Sequence, residues 1–117
     1  MGVDRWKKLQ GLALALYTAA VLIVTHWSAE RLPQISLYGG DKLAHLGAYG
    51  VWGVLAGYAL APPFIRWLVA GLLLAAVDEY TQPLFNRHAD WYDWWADVAG
   101  ICLGLFGAWH MKRRSRA

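Results

Sequence analysis

An all-α bundle of four transmembrane helices, with both termini cytoplasmic, is the fold class this sequence predicts. Three observations lead there. Of 117 residues, 58% are apolar and only 16% are charged, whereas soluble domains carry roughly a quarter charged residues. Four apolar stretches, at about residues 9–27, 43–61, 64–82 and 92–110, take up most of the chain. Each approaches the roughly 20 residues that cross about 30 Å of hydrocarbon as a helix. Eight of the eleven Lys and Arg residues fall in the N-terminal tail, the connection at Pro62-Pro63 and the C-terminal tail, and excess basic charge marks the cytoplasmic side. A chain of this length holds a single domain, residues 1–117.

The first stretch follows Lys7 and Lys8 and carries no charge. Thr25-His26-Trp27-Ser28 at its end is a poor signal-peptide cleavage site, so the span is expected to be retained. His26 reads most simply as an interfacial residue beside Trp27. Pro33, Gly39 and Gly40 break the chain before the second stretch.

The second stretch opens at Asp41, a plausible helix N-cap. Asp41 and His45 are four apart and share a helix face, with Tyr49 and Trp52 continuing along it. Gly50, Gly53 and Gly57 allow a neighbouring helix to come close. Pro62-Pro63 ends the stretch. In the third, Arg66 can extend to the interface, and an apolar middle over residues 67–77 leads to Asp78 and Glu79. Asp78 and Gln82 share a face, and Pro83 disfavours helix at Gln82.

The fourth stretch starts near Asp90. Asp90, Asp93 and Asp97 fall at i, i+3 and i+7 on one helical face. Ala96, Gly100, Gly104 and Ala108 form a small-residue stripe suited to tight helix packing. Trp91, Tyr92, Trp94 and Trp95 read as an interfacial aromatic belt. The single Cys102 cannot form an internal disulfide and reads as packing.

With four spans and both termini inside, the Asp41 motif, the Asp78-Glu79 motif and the segment over residues 87–97 all reach the non-cytoplasmic face. Three remote segments are thereby expected to converge on one polar site. Asp78, Glu79, Asp90, Asp93 and Asp97 face Arg87 alone in that region, a formal balance of −4; Lys42 and Asp41 together leave it unchanged. Salt bridges alone cannot satisfy such an excess. It needs a protonated His45, a metal ion or a cationic ligand.

Three elements in order resemble the VanZ-like family of small bacterial integral membrane proteins. They are Asp41-Lys42-x-x-His45, then Asp78-Glu79-x-x-Gln82, then Arg87 followed by Asp90, Asp93 and Ala96-Asp97-x-x-Gly100-x-x-x-Gly104. The resemblance covers residues 41–104, over half of the chain. It implies a multi-pass protein of the bacterial cytoplasmic membrane; the family's namesake is associated with low-level resistance to the glycopeptide teicoplanin. The family usually has asparagine where this chain has Asp97, an additional negative charge.

Three uses of the cluster stay open. One is a structural charge network that ties helix ends together. A second is an outer-leaflet site for the polar head of an amphiphilic cell-envelope molecule or a lipoglycopeptide, with Asp41, Lys42, Asp78, Gln82, Asp90 and Asp97 binding it. The third is an intramembrane enzyme, with Glu79 or an Asp such as Asp93 as general base, His45 as acid or base, and Arg87 stabilising an anionic transition state. A divalent cation on Asp78, Glu79, Asp93 and His45 is a variant of the enzyme reading, but the residues assign no metal and name no cofactor. Membrane lipids are the expected partners, with homo-oligomers through the glycine-rich faces. The basic tails flank apolar helices and give no reason to expect nucleic acid.

Overall fold

The computed structural model describes residues 2–26, 40–60, 63–85 and 90–116, without the side chains of Asp41 and Phe85. Among the described residues the chain is all-helical, with four α-helices and no strand: α1 Val3–Thr25, α2 Gly40–Ala59, α3 Phe64–Thr81 and α4 Trp91–Ser115. A short 3-10 helix, Gln82–Phe85, follows α3. The molecule measures 46 × 24 × 24 Å, consistent with a bundle of helices lying along one axis.

Local chemistry sets the helix ends. Pro83 lacks a backbone N–H and restricts Gln82, so α3 stops at Thr81 and tightens into the 3-10 turn. Asp90 has extended backbone, φ −134° and ψ 112°, and its carboxylate caps α4 by accepting from the Tyr92 N–H at 2.9 Å. Lys112, Arg113 and Arg114 occupy the last turn of α4, where positive charge suits the carbonyl end. Two helices outrun their apolar stretches: α1 begins at Val3 and α4 continues to Ser115, because charged residues are good helix formers outside an apolar region too. The second begins one residue before Asp41, which therefore occupies the first turn of α2 instead of the cap expected for it.

The centre of the fold is the α2–α4 pair. Gly50 faces the backbone of Gly100, Gly53 faces Ile101, Gly104 and Leu105, and Gly57 faces Ala108. Residue numbers rise together along this seam, so the two helices run parallel. A Cβ at Gly104 would collide with the Gly50 carbonyl oxygen, and one on Gly53 would sit 2.7 Å from the Ile101 carbonyl oxygen. Only glycine lets the backbones approach this closely. These glycine faces thus meet within one chain, as close approach of a neighbouring helix requires.

The other two helices line the pair. In α1, the Tyr17 hydroxyl donates to the Ala48 carbonyl at 2.5 Å, and Thr18 Oγ1 accepts from Trp52 Nε1–H at 2.9 Å. Helix α3 packs on both helices of the pair, with Gly71 placed where a Cβ would lie 2.8 Å from the Trp52 ring of α2 and 3.1 Å from the Ile101 side chain of α4. Val21, Tyr49, Trp52, Ala56, Ala75, Ile101 and Leu105 make up the apolar core. Trp94 departs from the expected belt: it packs on that core, its Nε1–H donating to the Leu72 carbonyl at 3.4 Å. Trp91, Tyr92 and Trp95 remain exposed.

By length and composition, α1 alone among the described residues is long and apolar enough to cross a membrane. The other three apolar stretches do not reach that standard. Arg66, Asp78 and Glu79 all lie in α3, while α2 and α4 carry acids, His and many Gly, Trp and Tyr residues that dilute the apolar average.

Candidate functional site

The C-terminal ends of α1 and α3 and the N-terminal ends of α2 and α4 meet at one end of the bundle. This follows from packing: α2 and α4 are parallel, contacts of residues 71, 72 and 79 with 101, 94 and 90 make α3 antiparallel to α4, and Thr25 and His26 at the end of α1 reach Asp78 and Thr81 at the end of α3. The end so formed is strongly polar. Asp78, Glu79, Gln82, Asp93 and Asp97 are all buried there, with Asp78 and Asp97 at 0% exposure.

Near the mouth, Lys42 Nζ donates to Asp90 Oδ2 at 2.8 Å and to Asp93 Oδ1 at 2.6 Å. Lys42 is 36% exposed, so this bridge between α2 and α4 is open to water. Deeper in, His45 lies between two acids of α4: Nδ1 is 2.8 Å from Asp97 Oδ1 and Nε2 is 3.5 Å from Asp93 Oδ2. Glu79 reaches across from α3, its Oε1 accepting from the Asp90 backbone N–H at 2.6 Å. One carboxylate thereby also anchors the start of α4.

A separate network surrounds Asp78. Its Oδ2 accepts from the Tyr49 hydroxyl at 2.6 Å and its Oδ1 from the Thr25 hydroxyl at 2.5 Å. His26 Nδ1 lies 3.3 Å from the same Oδ1 and donates to the Leu22 carbonyl at 2.9 Å, while its Nε2 is 2.6 Å from Thr81 Oγ1. Both oxygens of this fully buried carboxylate are partnered, and short hydroxyl–carboxylate bonds are strong. Asp78 ties three helices together, and its arrangement explains its burial without any ligand.

The neighbouring carboxylates differ. Glu79 Oε2, Asp97 Oδ2 and Gln82 Nε2 are buried and have no hydrogen-bond partner among the described residues. Each buried polar atom left so costs about 1–3 kcal/mol, more when charged. Within one small region, two oxygen atoms with lone pairs to give lie beside an imidazole, a set suited to holding a cation or donating hydrogen bonds to no one but accepting several.

Eight residues expected to form the site are at this end: Lys42, His45, Asp78, Glu79, Gln82, Asp90, Asp93 and Asp97. Arg87 lies outside the described residues, and the Asp41 side chain is likewise not described. Thr25, His26 and Thr81 join the cluster without having been expected there. His26 was the legible one: the topology that sends Asp78 to this end sends the end of α1 to it as well. Tyr49, expected only to continue the His45 face, is the hydroxyl that reaches Asp78.

No curated protein and no solved structure matches the chain. The profile of the VanZ/LLP1 family matches residues 5–112, a region that takes in α2 and α3 whole, most of α1 and α4, and every described member of the polar cluster. On that match, the chain belongs to the VanZ/LLP1 family.

Proposed function

We propose that this chain is a multi-pass protein of the bacterial cytoplasmic membrane whose polar end, at the non-cytoplasmic leaflet, binds the head of an amphiphilic cell-envelope molecule. One observation carries this reading: the bundle is inverted relative to a soluble protein. Among the described residues, four of the six largest fully buried side chains are Asp78, Glu79, Gln82 and Asp97, while large apolar side chains face outward on every helix. Leu12 and Leu16 do so on α1, Val51 and Val54 on α2, Val69, Leu73 and Val77 on α3, and Leu103 and Phe106 on α4. Water would penalise such a surface; lipid accepts it, and ionisable groups within a membrane face the bundle interior.

This pattern also accounts for the low apolarity of α2, α3 and α4. Mean hydropathy averages a helix over both faces, and the inner faces of these three hold the polar cluster and the glycine seam. Their outer faces remain apolar. Both tails are basic, which supports placing them in the cytoplasm and the cluster on the opposite side.

The mouth of the cluster suits an amphiphile. Trp91, Tyr92 and Trp95 stand exposed around the start of α4, where aromatic rings favour the headgroup region. Lys42 between Asp90 and Asp93 offers both signs of charge at the entrance. Family membership links the reading to teicoplanin, a lipoglycopeptide directed at the cell envelope, and makes a lipid-linked envelope precursor or the drug itself the class of ligand to test. Native mass spectrometry of the protein released from nanodiscs is the direct experiment. A bound amphiphile retained by the wild type and lost from Lys42→Met is expected. Equal lipid retention by the two proteins, or none by either, would count against the site.

A further inference from the structure

We propose that His45, Glu79 and Asp97 form a binding site for one divalent transition-metal ion of the zinc class. Each offers one ligand atom, and the three atoms lie within 4.8 Å of one another; a small inward movement of the side chains brings them to the roughly 3.4 Å spacing of atoms that share one ion at about 2.0–2.2 Å. The residues come from three different helices, α2, α3 and α4. The proposal stands on this geometry and does not depend on an amphiphile binding at the mouth.

A cluster of acids alone would not carry this. The second observation is the pair of orphaned oxygens. Glu79 and Asp97 are 1% and 0% exposed, and in each carboxylate one oxygen is partnered and the other is not. Glu79 Oε1 is held by the Asp90 N–H and Asp97 Oδ1 by His45 Nδ1. Glu79 Oε2 and Asp97 Oδ2 have no hydrogen-bond partner among the described residues. Glu79, whose second oxygen is fixed by that backbone N–H, is oriented before the ion arrives, the usual arrangement around protein metal sites. The ion would take the place of the proton between His45 Nδ1 and Asp97, 2.8 Å apart, while His45 Nε2 faces the Asp93 carboxylate at 3.5 Å, which orients the ring.

The donor set selects the ion. Ca²⁺ takes six to eight oxygen ligands and Mg²⁺ keeps most of its water, so neither gains from imidazole. One nitrogen and two carboxylate oxygens suit Zn²⁺, with a coordination position left for water or a ligand group. Charge points the same way: two buried carboxylates beside a single imidazole are balanced by a +2 ion. The second network supplies a contrast, because Asp78 is just as buried but has both oxygens satisfied, and it is not one of the three proposed ligands.

Zinc content by elemental analysis of detergent-purified protein, followed by calorimetric titration of the metal-stripped protein with Zn²⁺ alone, tests the proposal. One zinc per chain is expected for the wild type. Affinity should fall about tenfold or more in Glu79→Gln, Asp97→Asn and His45→Ala, and be unchanged in Asp4→Asn and His110→Ala at the other end. Absence of zinc binding by the folded wild type overturns the proposal, as does undiminished binding by all three ligand variants. Because a ligand variant can fail to fold, a second readout uses Co²⁺. In a Cys102→Ala background, His45→Cys should add a sulfur-to-cobalt charge-transfer band that the His45 protein lacks. A folded, Co²⁺-loaded His45→Cys protein without that band would exclude His45 as a ligand.

Discussion

His45 Nδ1 and Asp97 Oδ1 lie 2.8 Å apart across the α2–α4 interface, one residue before Leu46, whose carbonyl oxygen meets the Gly100 backbone. The imidazole is the only hydrogen-bonding partner of the Asp97 carboxylate among the described residues. Without it, the carboxylate would be left buried with neither oxygen satisfied. In metal-free protein, His45→Leu should therefore destabilise the bundle by about 3–5 kcal/mol. The pair His45→Leu/Asp97→Leu should recover most of that loss, since removing both partners leaves no orphaned charge. Denaturation in mixed micelles measures both, and a double variant no better than the single one would contradict the pairing.

The seam between α2 and α4 predicts a sharp difference among glycines. Gly104→Ala and Gly53→Ala push a methyl group into backbone that cannot turn aside, and each should cost about 1–3 kcal/mol. Gly47→Ala and Gly107→Ala meet nothing within 4 Å and should be neutral or stabilising by up to about 1 kcal/mol. Thermal unfolding in detergent separates the two groups.

Tyr49 and Asp78 should behave as one unit. Tyr49→Phe deletes the hydroxyl that reaches Asp78 Oδ2 at 2.6 Å and should cost about 1–3 kcal/mol. A double-mutant cycle with Asp78→Asn should return a coupling of about 0.5–3 kcal/mol. A coupling indistinguishable from zero would mean that the contact does not contribute in solution.

Asp90 does two jobs that substitution can separate. Asparagine keeps the cap on the Tyr92 N–H but gives up the ion pair with Lys42, and alanine loses both. The ion pair is partly exposed and water screens it. The loss should therefore fall mainly on Asp90→Ala, at about 0.5–2 kcal/mol relative to Asp90→Asn. Equal stabilities would remove the cap from the account of how α4 starts.

Orientation in the membrane is open to labelling. With Cys102 replaced by alanine, single cysteines at positions 41, 86 and 90 should react with an impermeant maleimide in intact cells. Cysteines at positions 4 and 116 should react only after permeabilisation. Labelling of either tail in intact cells would reverse or dissolve the proposed arrangement.

Helices and small-residue stripes were legible in the sequence because both are local patterns. Apolar runs bounded by Pro and Gly mark the elements, and Gly50-x-x-Gly53-x-x-x-Gly57 faces Gly100-x-x-x-Gly104 in the structure as such stripes should. The convergence of acids at one end was legible too, through charge counting along the chain. Pairing was not. Asp78 and Glu79 are adjacent and chemically alike, yet one is fully partnered and the other is half orphaned, a difference that depends on Thr25 and Tyr49 arriving from other helices. Trp94 was misplaced for the same reason: four aromatic residues in five look alike until helix rotation turns one of them inward.

The glycine seam has one last consequence, for access. Two backbones in direct contact act as a single stiff girder, with no side chain between them to yield, and the turns bearing His45 and Asp97 are fixed to it. Helix α3, which carries Glu79, rests mainly on α4 and meets α2 through side chains, the Tyr49 hydroxyl on Asp78 and the Trp52 ring on Gly71. Any breathing of the bundle that admits or releases a guest therefore falls to α3 and to α1 beside Asp78, while the opposite wall keeps its shape.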